Sequence, residues 1–110
     1  LYDLKALKEL SRGDNTFVIK MINMFIEHTP VSISKINAHL ASKEWDRVKA
    51  VAHKMKPSID FMRISEVKED IRSIEHYAEE RVNLEKLPQL IRKLTEVCNE
   101  VIRSLKDEIR

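Results

Sequence analysis

Among the four histidines of this chain, His53 is the one whose surroundings suggest chemistry. It sits in the run Ala52-His53-Lys54-Met55-Lys56-Pro57-Ser58. Apolar residues recur around it at Trp45, Val48, Val51, Ala52, Met55, Ile59 and Met62, as the core-facing stripe of a helix does. At 100° per residue, the imidazole points roughly 150° away from the mean direction of that stripe. Asp46, Lys49, Ala50, Lys56, Pro57 and Asp60 share its outward face. Lys49 and Lys56 lie about one turn to either side, within reach of a charge held on the ring. A neutral imidazole is a nucleophile near pH 7, and neighbouring ammonium groups disfavour a second positive charge on it. A phosphoryl group on a ring nitrogen carries close to two negative charges, which a nearby ammonium stabilises. Ala50 and Pro57 present little bulk, so another protein's active site can approach. Nothing close in sequence resembles a general base or a nucleotide cradle. The pattern describes a phosphoryl acceptor and carrier that depends on a partner for the rest of the chemistry.

Presenting such a face requires a rigid helical scaffold. The chain has 110 residues, 43% hydrophobic and 35% charged, with one glycine. That is enough for one core, and residues 1–110 read as a single domain. Asp3 is positioned to cap a short helix carrying Leu4, Leu7 and Leu10, ended by Ser11-Arg12-Gly13. Asp14 or Asn15 opens a long second helix with the stripe Val18, Ile22, Phe25, Thr29, Ile33, Ile36 and Leu40. Pro30 falls within it and predicts a kink or break near residues 27–30. Ser42 is expected to cap the third helix and Ser65 the fourth, whose stripe is Val67, Ile71, Ile74 and Ala78, closed by Asn83. A fifth helix starts near residues 85–88 and runs on Leu90, Leu94, Val97, Val101 and Leu105. Four helices of about 17–28 residues with short turns predict an all-α fold. Its form is an antiparallel four-helix bundle with a short additional N-terminal helix.

The motif resembles A-H-x-L-K-G-S of histidine-containing phosphotransfer (Hpt) domains, found in multistep two-component phosphorelays. Gly13-Asp14, Phe25, Pro30 and Trp45-Asp46 fit the same family, so the resemblance spans essentially the whole chain. It implies that His53 is the phosphoacceptor, that Lys56 helps hold the phosphoryl group, and that Ser58 supports the site. Lys49 joins them from helix geometry alone. Asp46, Ala50, Pro57, Asp60 and Arg63 form the expected docking face. The sequence departs from the family at two positions: Pro57 and Arg63 stand where glycines are usual.

The resemblance implies as partners the receiver domains of response regulators or of a hybrid histidine kinase. Phosphate passes between receiver aspartates by way of His53. This chain is expected to bind no cofactor, the Mg²⁺ belonging to the receiver, and to have no autonomous kinase or ATP site. The alternative is a helical adaptor that docks receivers without transferring phosphate, favoured by Pro57 and by the bulk and charge of Arg63 where the family's glycines leave space for the partner. Residues 42–63 hold six Lys/Arg and three Asp/Glu, a net +3 that would complement an acidic receiver pocket. The chain as a whole carries only +2, and Asp46 and Asp60 interrupt its basic face, which argues against nucleic acid.

No His/Cys spacing suits a metal, and no membrane span or signal peptide is visible. Cys98 is the lone cysteine and flanks an apolar stripe, which fits a buried inert thiol in a reducing, cytoplasmic setting. Met21, Met24, Met55 and Met62 are expected in or near the core, and residues 66–70 on a solvated face. As an isolated domain the chain should be monomeric. Because it opens on Leu1 rather than Met, it reads as a segment of something longer, such as a hybrid sensor kinase.

Overall fold

The computed structural model describes residues 2–10 and 12–108. The helices are α1 (Lys5–Leu10), α2 (Asn15–Ala41), α3 (Trp45–Phe61), α4 (Lys68–Glu80) and α5 (Leu87–Glu108). Short 3₁₀ turns, Ser65–Val67 and Leu84–Lys86, precede α4 and α5. Among the described residues there is no strand. The four longer helices form a closed ring in which α2 packs on α3, α3 on α4, α4 on α5, and α5 back on α2. Short connections force sequential neighbours to run antiparallel. The bundle is 43 Å long, about the length of the 27-residue α2 at 1.5 Å per residue.

The expected stripes form most of the core, with Leu40, Trp45, Val51 and Leu90 only partly buried against it. Val48, Ala52, Met55, Ile59 and Met62 of α3 and its cap are buried, as are Val67, Ile71, Ile74 and Ala78 from the fourth stripe. On α5 the buried set is Leu87, Ile91, Leu94, Val97, Cys98, Val101, Ile102 and Leu105. Burial pushes the Cys98 thiol up to about 12, so it stays protonated. Ile59 is 1% exposed at the centre of the α3 stripe. Ile59→Ala is therefore expected to cost about 2–5 kcal/mol through the cavity it leaves. A denaturant midpoint shift equivalent to less than about 0.5 kcal/mol would mean that this face is not the core.

Some local expectations change. The N-terminal caps are as anticipated at Asp3, whose Oδ1 accepts from the Lys5 N–H at 2.8 Å, and at Asp14, whose Oδ1 accepts from Thr16 and Phe17. The expectations for Leu7, Leu10 and Ser11 lie outside the residues whose side chains are described. Ser42 is the C-cap of α2 and does not cap α3, which starts behind Glu44 without a side-chain cap. Ser65 likewise opens a 3₁₀ turn and makes no capping bond, and α4 is 13 residues long, shorter than expected. In both places the preceding helix ends in a tight left-handed turn that takes up the candidate serine. The break invited by Pro30 does not occur, because α2 is continuous through it. Buried Ile22, Phe25, Ile33 and Ile36 on both sides hold the helix to the core. Their burial outweighs the roughly 3 kcal/mol that an interior proline costs. Met24 is 41% exposed, not core. Asp70 leaves the solvated face to pair with Lys93 at 2.8 Å.

The ends of the helices explain the Arg63 departure. Arg63 has φ +50°, as the first residue beyond the α3 C-cap Met62. Its N–H donates to the Asp60 carbonyl, and the Ile64 N–H donates to the Ile59 carbonyl. That pair of bonds is a Schellman turn, which needs a left-handed residue at position 63. A glycine there relieves backbone strain, independent of any space for a partner. Lys43 makes the same turn after α2, at φ +55°. Arg63→Gly should thus stabilise the fold by about 0.5–1 kcal/mol. It removes only an exposed 3.7 Å contact with Asp3, which contributes little. A lowered melting temperature would refute this account of position 63.

Candidate functional site

His53 lies in the third turn of α3, on the face opposite the buried Val48-Ala52-Met55-Ile59 stripe, and its side chain is 69% exposed. α3 continues through Pro57, whose nitrogen carries no hydrogen, so the His53 carbonyl receives no bond from that position. The decisive neighbour comes from α4. Glu75 Oε2 lies 2.7 Å from His53 Nδ1, and Glu75 Oε1 lies 2.6 Å from Lys56 Nζ. The carboxylate is only 14% exposed and spans both groups. Burial alone would raise the Glu75 pKa. Hydrogen bonds from Lys56 and His53, with their charges, outweigh that and hold it below the usual carboxylate value. A depressed pKa contributes stability above the unfolded value of 4.5, lost as pH falls through the lower folded value.

Because a carboxylate only accepts, Nδ1 must carry the ring proton and donate it to Glu75. In the neutral ring the lone pair then sits on Nε2. Glu75 therefore both fixes the ring and selects the reactive nitrogen.

The other charged residues of that face, Asp46, Lys49 and Asp60, are also paired, with α4 or its C-cap. Asp46 accepts from Arg81 at 2.8 Å, Lys49 meets Glu79 at 3.2 Å, and Asp60 accepts from Arg72 at 2.8 Å. The Arg81 guanidinium holds the Asp46 carboxyl below its ordinary value. As numbers rise along α3, those of the partners fall along α4, as antiparallel helices require. The net +3 of residues 42–63 is thus not an open positive field, since α4 acids face Lys49 and Lys56. Lys49 is turned to Glu79, whereas Lys56 stays beside His53 through their shared partner. Ala50, Pro57 and Ser58 are exposed. Arg63 stands at the end of the same face, where an open depression is lined by His53, Lys56, Pro57, Asp60, Phe61, Arg63 and Arg72. An adjoining, mainly apolar groove is lined by Met21, Met24, Phe25, Pro57, Phe61 and Met62 together with His28, Thr29 and Ser58, and Phe61 is 44% exposed. No group of three or more His, Cys, Asp or Glu is arranged to hold a metal among the described residues.

The sequence profile of the Hpt domain family matches residues 20–107, most of the chain and all of the site. The chain belongs to the Hpt domain family. The role of Hpt domains is histidine phosphotransfer in two-component phosphorelays, and their partners are response-regulator receivers. Neither a curated protein nor a solved structure matches the chain significantly. No helix among the described residues is long and apolar enough to cross a membrane.

Reading residues near His53 in sequence did not reveal Glu75 or Arg72 of this Hpt domain. A signal for them exists. Lys49, Lys56 and Asp60 each follow a buried residue of α3, as His53 follows Ala52. Arg72, Glu75 and Glu79 each follow a buried residue of α4. On neighbouring antiparallel helices, the positions one step beyond the core stripe flank the same seam, so the two sets meet.

Proposed function

We propose that this Hpt domain carries a phosphoryl group on Nε2 of His53, taking it from an aspartyl phosphate of one receiver and passing it to a receiver aspartate of another. The observation that carries this reading is the Glu75–His53 hydrogen bond, which leaves Nε2 as the nucleophile on an exposed ring. In the first transfer Nε2 forms the N–P bond as the acyl O–P bond breaks, and the receiver carboxylate leaves. The ring then holds hydrogen on Nδ1 and phosphorus on Nε2, and so carries positive charge beside the Glu75 carboxylate. Onward transfer starts from that same species, because with Nδ1 protonated the ring leaves as neutral imidazole and not as imidazolate. Glu75 is therefore a positioning residue that assists arrival by stabilising the charge the ring gains, and it keeps Nδ1 protonated for departure. Lys56 is placed to share its ammonium with the incoming phosphoryl oxygens.

The receiver supplies the acidic pocket and the Mg²⁺. Pro57, Ala50 and the exposed Phe61 and Met24 offer a low, partly apolar docking face rimmed by Asp46, Asp60 and Arg63. Lys49 and Ser58 support this face from its two sides. The domain acts as a cytoplasmic monomer. Arg63 no longer favours the adaptor alternative, because its position at a left-handed turn accounts for glycine there. Incubation with a phosphorylated receiver tests the reading: an acid-labile, base-stable label should appear on His53. No label from any receiver would favour the adaptor.

A further inference from the structure

We propose that Arg72 is a second cation for the phosphoryl group, held by Asp60 until His53 is modified and then drawn to the phosphoryl oxygens. The inference rests on His53 being the acceptor. Arg72 is one turn before Glu75 on α4, hence on the same face and about 4.5 Å along the axis from it. Its guanidinium lines the open depression that also holds His53 and Lys56. Nη2 donates to Asp60 Oδ2 at 2.8 Å, and Nη1 donates to the Lys68 carbonyl at 2.9 Å. The Asp60 hydrogen bond is the main influence raising the Arg72 pKa, and the charge of Glu75 also acts on it.

Charge balance in the depression motivates the exchange. Lys56 and Arg72 offset Glu75 and Asp60 while the ring is neutral. Phosphorylation adds close to two negative charges, and Lys56 is already shared with Glu75. The Asp60–Arg72 pair is 40% and 38% exposed. Its opening therefore costs little, because exposed ion pairs are weakly held. A guanidinium also matches a phosphoryl dianion bidentately, with two parallel N–H bonds. Arg63 is a poorer candidate, being ten residues beyond His53 and turned toward Asp3.

A loose, metaphosphate-like transition state carries less charge on the phosphoryl oxygens than the bound dianion does. A cation on those oxygens thus stabilises the bound state more and slows its loss to water. The two members of the pair then have opposite effects. Arg72→Gln removes the cation, whereas Asp60→Asn releases it to the phosphoryl group.

The test uses the full chain phosphorylated by phosphoramidate, whose phosphoryl group leaves ammonia for Nε2, so that no receiver is required. The phosphohistidine half-life is followed by ³¹P NMR. Arg72→Gln should shorten it about threefold to tenfold and Asp60→Asn should lengthen it, with melting temperatures near wild type. Equal half-lives in all three proteins, or the same shortening in both variants, would make the pair a structural brace only and overturn the proposal. If wild type takes no label at His53 from phosphoramidate or a receiver, the acceptor reading falls, and this one with it.

Discussion

His53→Gln is expected to leave the fold nearly unchanged and to abolish phosphoryl acceptance. The side chain is 69% exposed, so its removal opens no buried cavity. Among the described residues its close polar contact is with Glu75, which keeps Lys56 at 2.6 Å. Glutamine can still donate an N–H toward the carboxylate but has no nitrogen lone pair able to attack phosphorus. Thermal unfolding should therefore shift by no more than the effect of a surface substitution, about 0.5 kcal/mol. Transfer from a phosphorylated receiver should drop to background. Label found on another residue of the variant would move the acceptor elsewhere, and a large loss of stability would show that the ring has a structural role.

The second large effect is expected at Glu75, the residue that joins nucleophile and lysine. Removing a charge-assisted bond worth about 1.5–3 kcal/mol in the transition state slows a reaction by one to two powers of ten. Glu75→Ala should impose that loss on transfer to His53, where the ring gains positive charge as the N–P bond forms, and should slow transfer from His53 less, since that step starts from a ring already charged. Glu75→Gln keeps an acceptor for Nδ1 but loses the negative charge, so it should fall between wild type and alanine. Receiver binding should change little, because the carboxylate is 14% exposed and lies beneath the docking face. Rapid-quench measurement in both directions, beside a binding titration, separates these effects. Equal slowing in both directions would refute this role, and a proportional loss of binding would make Glu75 a docking contact.

The local direction of His53 was legible in the sequence because it depends only on helical periodicity. Once Val48, Ala52, Met55 and Ile59 are assigned to the core, the outward direction of position 53 follows from 100° per residue. The same arithmetic identified most of the stripes of the other long helices and the burial of Cys98, while residue type pointed to caps at Asp3 and at Asp14 or Asn15. It extended to the all-α bundle, since several amphipathic helices with short turns have few ways to hide their apolar faces.

Contacts between helices required the tertiary structure. Glu75 is 22 residues from His53, and the stripe of α4 determines which way it faces without determining which α3 residue it meets. That register comes from the packing of Ile71, Ile74 and Ala78 against the α3 stripe, which also carries Lys49 to Glu79 and Arg72 to Asp60. The fate of Pro30 was likewise collective, because the cost of the proline is local while the burial that outweighs it is spread over the core. Arg63 shows the same division. Its side chain reads in sequence as added bulk and charge, but the left-handed backbone beneath it arises only when α3 stops at Phe61 and the chain turns to bury Ile64. Sequence alone thus determined the helices, their buried faces and an outward histidine with its motif lysine, all set by local geometry. Tertiary packing decided that the histidine is held by an acid from the next helix, because only the register between helices brings side chains distant in sequence within hydrogen-bonding distance.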